Sequence, residues 1–278
     1  MTCFMFPGQP VAFTALPAQD TTFHGVAQLC QVTTGFNPLD EDHSTQQLSE
    51  SVRLQLFGTC MSLYRSNLLI RELGPPDMIT EHSMGIYAAL AACDSIDNAT
   101  GLELTCRIGS CLAAMGVRRS YALGSVVGLG CEALTAIAAN NDVYIANYNT
   151  SRHHLLSGER EKISAATTEA MAAGAFSVGL FPCDAPLHTP LVNEVIAELH
   201  AIVAEYSFLE PRIPLLNHLD QKQLHGADIA DFLVEELCRP VFWEQSYRAL
   251  QKAGIRRFIE VGAGTALTKF NRWIDTEL

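Results

Sequence analysis

The chain has 278 residues, 48% hydrophobic and 17% charged, enough to bury a full core as one large domain or as a domain with an insert. Its formal net charge of −12 sets it against nucleic acid and anionic membrane surfaces, both of which would repel it. No segment approaches the roughly 18 uninterrupted apolar residues of a membrane span, and the start, Met1 to Gln9, lacks the basic and long apolar regions of a signal peptide, so a cytoplasmic monomer is expected. The nine cysteines (Cys3, Cys30, Cys60, Cys93, Cys106, Cys111, Cys131, Cys183, Cys238) are odd in number and scattered, with no C-x-x-C spacing, and read as buried hydrophobes in a reducing compartment. The nine histidines show no H-x-x-x-H or H-E-x-x-H spacing, so neither a metal nor a cofactor is expected.

Taken in chain order, Cys3-Phe-Met-Phe6 predicts a buried strand stopped by Pro7-Gly8. The polar stretch from Ala18 to Glu50 predicts loop with short helices. Apolar residues at helical spacing from Ser49 to Leu73 predict a long or broken helix ended by Gly74-Pro75-Pro76. Met78-Ile-Thr80 then reads as a short strand, Gly85 to Cys93 as a helix and Ala99 to Met115 as another. From Tyr121 to Pro182 the order is strand (Tyr121 to Leu129), helix (Cys131 to Asn140), strand (Val143 to Asn147), strand (His154 to Ser157), helix (Glu161 to Ala173), strand (Phe176 to Phe181). That β-α-β-β-α-β order is the ferredoxin-like signature. Long helices follow (Pro190 to Tyr206, Gly226 to Cys238, Trp243 to Ala253), then the strand Arg257 to Val261 and a last helix from Thr265 to Ile274. Strands alternating with helices outside the insert predict a parallel sheet covered on both faces.

Ser83 falls between the strand at Met78 and the helix at Gly85. A serine on such a sharp turn exposes its Oγ above the sheet, as in the G-x-S-x-G elbow. Here the five residues are Glu81-His82-Ser83-Met84-Gly85, without the first glycine, and a serine opening a helix is more commonly just an N-cap.

Several further motifs accompany it in a specific order: Phe6-Pro7-Gly8-Gln9, His82 to Leu90, Arg107, Asn147-Tyr-Asn149 with Leu156-Ser157-Gly158, Ala185-Pro-Leu-His188-Thr-Pro-Leu191, Arg239-Pro-Val-Phe-Trp243, and Ile259-Glu-Val-Gly-Ala-Gly264. Together they resemble, nearly end to end, the malonyl-CoA:acyl carrier protein transacylases and the acyltransferase domains of polyketide and fatty acid synthases. The resemblance implies an α/β fold: an α/β-hydrolase-like core with a short parallel sheet over residues 1–118 and 186–278, and an inserted ferredoxin-like subdomain over 119–185. It implies transfer of a malonyl group from coenzyme A to the phosphopantetheine thiol of an acyl carrier protein, without cofactor or metal. Ser83 would be the nucleophile and His188 its base, since a free hydroxyl needs its proton taken. The backbone N–H groups of Gln9 and Met84 would form the oxyanion hole. The backbone of Glu236 would orient the histidine, its side chain mattering little. Arg107 would hold the malonyl carboxylate by its two parallel donors.

The departures from the family pattern are Glu81 for the first elbow glycine, Ile86 for a glutamate, and Pro10-Val11-Ala12 after the N-terminal motif. A carboxylate at 81 is expected either to point into solvent or to enter the site and act on the malonyl carboxylate or the histidine. Two other readings stay open: a thioester hydrolase on the same scaffold, for which Glu81 would admit or activate water, and a weakly catalytic module that binds a carrier protein, for which the altered elbow speaks.

Overall fold

The computed structural model describes residues 1–10, 12–40 and 47–276. β1 (Thr2–Phe6) is buried at every position but its first, as a central strand of a covered sheet requires. The polar stretch that follows holds more structure than its composition predicts, because α1 (Thr21–Thr34) is a full 14-residue helix. The Asp20 carboxylate caps it by accepting the Thr22 N–H at 2.8 Å, Gly35 closes it in the left-handed region (φ 78°), and Phe23, Val26, Ala27 and Cys30 make a buried stripe at helical spacing. The rest of that expected loop at 41–46, and Val11, lie outside the described residues. α2 (Glu50–Leu73) is unbroken, capped by Ser49 and ended at Gly74. β2 (Met78–Glu81), α3 (Gly85–Ala92) and α4 (Asn98–Met115) follow where expected.

The next six elements are β3 (Tyr121–Val127), α5 (Cys131–Asn140), β4 (Tyr144–Thr150), β5 (His153–Glu159), α6 (Arg160–Ala172) and β6 (Ser177–Cys183). Their sheet is antiparallel throughout, in the order β4-β5-β3-β6, with Gly124 opposite both Leu156 and Leu180. This is the ferredoxin-like arrangement. It has its own core, built on Leu134, Ile137, Val143, Leu156 and Ile163.

Beyond it, the helix expected from Pro190 starts as a 3₁₀ segment, Pro190–Val195, before α7 (Ile196–Val203). The two-residue β7 (Leu215–Leu216) carries no signal of its own in the sequence. A short 3₁₀ turn precedes α8 (Ile229–Cys238), and α9 (Trp243–Lys252), β8 (Arg257–Glu260) and α10 (Ala266–Thr276) complete the chain. β7, β2, β1 and β8 lie side by side in that order, all parallel. Alternate residues of β1 face opposite layers. Phe4 and Phe6 pack into the cluster of α1 to α4, α7 and α8, while Met5 meets Trp243, Tyr247, Leu267 and Ile274 of α9 and α10. Two backbone bonds join the sheets' surroundings, Tyr148 N–H to Val241 C=O at 2.8 Å and Val241 N–H to Ala146 C=O at 2.9 Å. No helix of the described residues is long and apolar enough to cross a membrane.

Candidate active site

Ser83 sits in the left-handed region with φ 56°, a conformation costing a non-glycine residue roughly 1–2 kcal/mol. Tight packing holds it there. A Cβ on Gly85 would lie 2.3 Å from the Phe6 carbonyl oxygen, so the end of β1 is pressed against the start of α3. A Cβ on Gly8 would lie 2.9 Å from His82 Nδ1 and 3.5 Å from Ser83 Cβ. The Pro7-Gly8-Gln9 loop therefore passes directly against the serine. The Gln9 side chain anchors that loop to α2, donating to Ser51 Oγ at 3.3 Å and accepting from Gln55 at 3.1 Å.

His188 is brought to Ser83 from a loop 105 residues away in sequence, and its Nε2 lies 2.7 Å from the serine Oγ. It too has a left-handed backbone, φ 58°. The C-terminus of α8 fixes it twice: the His188 N–H donates to the Leu237 carbonyl at 2.9 Å, and the ring Nδ1–H donates to the Glu236 carbonyl at 2.8 Å. The last carbonyls of a helix lack intrahelical partners, so α8 offers acceptors here, and its negative end favours an imidazolium. With Nδ1 committed as donor, Nε2 carries the lone pair toward Ser83. Burial, then the nearby His218 and His82, push the His188 pKa down to about 3, which keeps the ring neutral and able to accept a proton.

Glu81 answers to neither expectation. It is fully buried, and it is paired with His218 from the segment just after β7. The His218 N–H donates to Oε1 at 3.1 Å, and Nδ1 lies 2.8 Å from both carboxylate oxygens. So engaged, Glu81 has no freedom to activate water, which removes the support for a hydrolase. His218 is the site residue that the sequence did not disclose; the only signal was Glu81 itself, since a carboxylate ending a buried strand needs a partner. The Glu236 side chain is likewise fully buried, with Oε2 3.6 Å from His188 Nδ1 and 4.0 Å from His218 Nε2. Neither of its oxygens has a hydrogen-bond partner among the described residues. Burial raises the pKa of both carboxyls, and the charge of Glu81 raises that of Glu236 further.

His82 turns away from the reaction: its Nε2–H donates to Asn149 Oδ1 at 3.0 Å, tying β4 to the elbow. Burial lowers its pKa to about 4. His188, His218 and Glu236 bring ligand atoms within 4.8 Å of one another, but both ring nitrogens of His188 are already spent on Ser83 and on the carbonyl.

Arg107, the expected carboxylate binder, is held in an ion pair of the protein itself. Its two terminal nitrogens grip Glu205 at 2.8 and 2.6 Å, one also donates to Tyr206 Oη at 2.9 Å, and the side chain is partly exposed. Its fork thus already grips a carboxylate, and the partner is solvent-exposed. On α4 the buried stripe runs through Leu104, Ile108 and Leu112, and Arg107 lies about 100° round the helix from Ile108, facing the Glu205-Tyr206 turn that follows α7.

The acyl transferase domain family matches residues 39–272. The chain belongs to that family. This acyl transferase domain is 26% identical over 289 residues to the malonyl CoA-acyl carrier protein transacylase of Escherichia coli K12, covering 98% of this chain and 93% of the relative. It is 27% identical over 206 residues to the polyketide biosynthesis protein ThaF of Burkholderia thailandensis, where it spans 73% of itself but only 18% of that longer protein. The solved transacylase of Coxiella burnetii superposes with a TM-score of 0.90 at 23% identity, over 99% of this chain and 91% of the other. A malonyl transacylase solved with a type II polyketide synthase acyl carrier protein superposes at 0.87 with 22% identity, over 99% and 93%. At those identities the solved structures bear on the fold alone.

Proposed function

We propose that this acyl transferase domain moves a malonyl group from coenzyme A to the phosphopantetheine thiol of an acyl carrier protein through an acyl-Ser83 intermediate, in fatty acid or polyketide synthesis. The observation that carries the proposal is the Ser83 Oγ to His188 Nε2 contact of 2.7 Å, with Nδ1 held by the Glu236 carbonyl at 2.8 Å. In the first half-reaction Ser83 Oγ bonds to the thioester carbon as its proton passes to His188 Nε2; the carbon–sulfur bond breaks and the coenzyme A thiolate takes that proton. In the second, His188 takes the proton of the incoming pantetheine thiol, and the collapse of the new tetrahedral species returns it to Ser83. The backbone N–H groups of Gln9 and Met84 flank the serine and are assigned the oxyanion, a donor pair worth roughly 3 kcal/mol each in the barrier.

The choice of malonyl rests on the similarity to the named transacylases, and Arg107, released from its exposed pair with Glu205, is assigned the malonyl carboxylate. For the carrier partner, Arg118, Arg119 and Arg160, with Asp184, line an open cleft of about 350 Å³ at the join of α4, β3 and α6, a locally basic surface on an acidic chain. The test is intact-mass measurement after incubation with malonyl-CoA, with and without holo carrier protein. An 83-borne malonyl adduct that moves to the carrier is expected. Release of free malonate without transfer makes the protein a hydrolase, and no adduct sinks both enzyme readings.

A further inference from the structure

Behind His188, on the side away from Ser83, lie three buried titratable groups that the reaction as written leaves idle. Glu236 places two unpartnered carboxyl oxygens there, one of them 3.6 Å from His188 Nδ1. His218 points its unpartnered Nε2 at the same carboxyl, 4.0 Å away, while its Nδ1 is held by Glu81 at 2.8 Å. Glu81, Glu236 and His218 are all 0% exposed. Nature rarely leaves a buried carboxyl without a partner, since each orphaned polar group costs on the order of 1–3 kcal/mol. An orphan carboxyl beside the catalytic base therefore asks for a role.

We propose that Glu236 and His218, backed by Glu81, form a proton relay that sets a negative charge beside His188 as it becomes an imidazolium. This deepens the proposed function and rests on it, since His188 must be the base. The two carboxyls are inequivalent. Burial raises the pKa of both, but Glu81 accepts from the backbone and the ring of His218, contacts that offset this by favouring its ionised form, whereas Glu236 accepts nothing and faces the charge of Glu81, so the proton sits on Glu236. At rest the set is Glu81 carboxylate, neutral His218 with its proton on Nδ1, protonated Glu236 and neutral His188. When the Ser83 proton reaches His188 Nε2, the Glu236 proton crosses to His218 Nε2 as a small side-chain rotation closes the 4.0 Å gap. Glu236 is then an anion against imidazolium His188, and His218 is a cation against Glu81. No charge is created: the sum over the four groups and the transferred serine proton is unchanged. When His188 hands its proton to the thiolate, the relay runs back. Glu236 and His218 are thus positioning residues that act through His188.

The other titratable groups facing the relay are Tyr87 of α3 and Cys238 of α8 next to Glu236, His82 toward His188, and Arg239 toward His218. Arg239 is committed to Glu235, and His82 is held by Asn149.

The test measures the pH dependence of kcat/KM for acyl-Ser83 formation in wild type, Glu236→Gln and His218→Asn, alongside thermal melting. Both variants are expected to form the adduct at least 10-fold more slowly at pH 7, with the acidic limb of the profile moved to lower pH by about one unit. Glu236→Gln is expected to melt no lower than wild type, because an uncompensated buried carboxyl is gone; a merely structural role would lower melting and leave the limb in place. An unmoved limb in a folded variant overturns the relay, yet leaves Ser83 and His188 standing. A wild type that forms no adduct at all overturns the function as well. If neither variant folds, ¹⁵N NMR of the wild type decides: neutral His218 protonated on Nδ1 at pH 7 is expected, and an imidazolium there overturns the resting state on which the relay depends.

Discussion

The antiparallel sheet and the parallel sheet follow different rules in the same chain. In the small β-α-β-β-α-β unit, strands alternate, helices cover one face, and the core of Leu134, Ile137, Leu156 and Ile163 is wholly aliphatic. Around the parallel sheet, Ser83 and His188 both hold left-handed backbones, and His82 Nδ1, His218 Nε2 and both Glu236 oxygens are buried without hydrogen-bond partners among the described residues. Both units break local rules, since the small one holds Asp142 at φ 52° and buries Ser157 Oγ without a hydrogen-bond partner among the described residues, but around the parallel sheet the broken rules gather about one reacting pair, Ser83 and His188.

The sharpest way to break that comparison is to remove the broken rules one at a time. His188→Ala is expected to slow acyl-enzyme formation by roughly 10² to 10⁴, read by stopped mass spectrometry; an adduct rate within twofold of wild type would remove it as the base. Gly85→Ala sets a Cβ 2.3 Å from a backbone oxygen that has nowhere to go, and is expected to cost about 3 kcal/mol or more in urea unfolding. The matching change in the small sheet, Gly158→Ala, meets side chains alone, Val143 at 3.3 Å and Ile163 at 3.7 Å, and is expected to cost under about 1.5 kcal/mol. Equal losses would erase the contrast.

Acid should expose the same asymmetry. His188 and His218 are pushed down to about 3 and His82 to about 4, all first by burial. A depressed folded pKa means the unfolded chain binds protons first, so the stability is whole above the ordinary histidine value near 6.5 and is lost as pH falls from there toward 3. Glu81 and Glu236 run the other way: with raised folded values they favour the folded state most at low pH and lose that contribution as pH rises through them. The melting temperature is expected to fall from pH 6.5 to pH 4, and His218→Asn to flatten that slope; an equally steep slope in the variant assigns the acid loss elsewhere. The smallest effect on stability belongs to Arg107→Ala, because a solvated pair with Glu205 contributes little and melting is expected to stay near wild type. Its transfer assay is expected to lose malonyl and gain acetyl if the guanidinium holds the substrate carboxylate; equal losses would remove that role.

Most of the scaffold could be read along the chain because its signals are local. The cap at Ser49, the stop at Gly74-Pro75-Pro76 and the alternation from Tyr121 to Pro182 each act over a few residues. The exception, α1, hid because its buried stripe is only Phe23, Val26, Ala27 and Cys30 among polar residues. Ser83, His188 and the Glu236 carbonyl are legible through the family resemblance, since the acceptor that orients the histidine is backbone. The pairing of Arg107 with Glu205 could not be read, because it joins residues 98 positions apart that no local pattern links.

The succession of elements and the serine at their sharpest turn are written along the chain, since both follow from patterns within reach of a few peptide bonds. The surroundings of His188 are not. Glu81, His218 and Glu236 are 137 and 18 residues apart in turn, and their meeting depends on β7 pairing with β2 and on α8 ending where it does. Burial made those three groups into neighbours, and burial is a property of the folded whole.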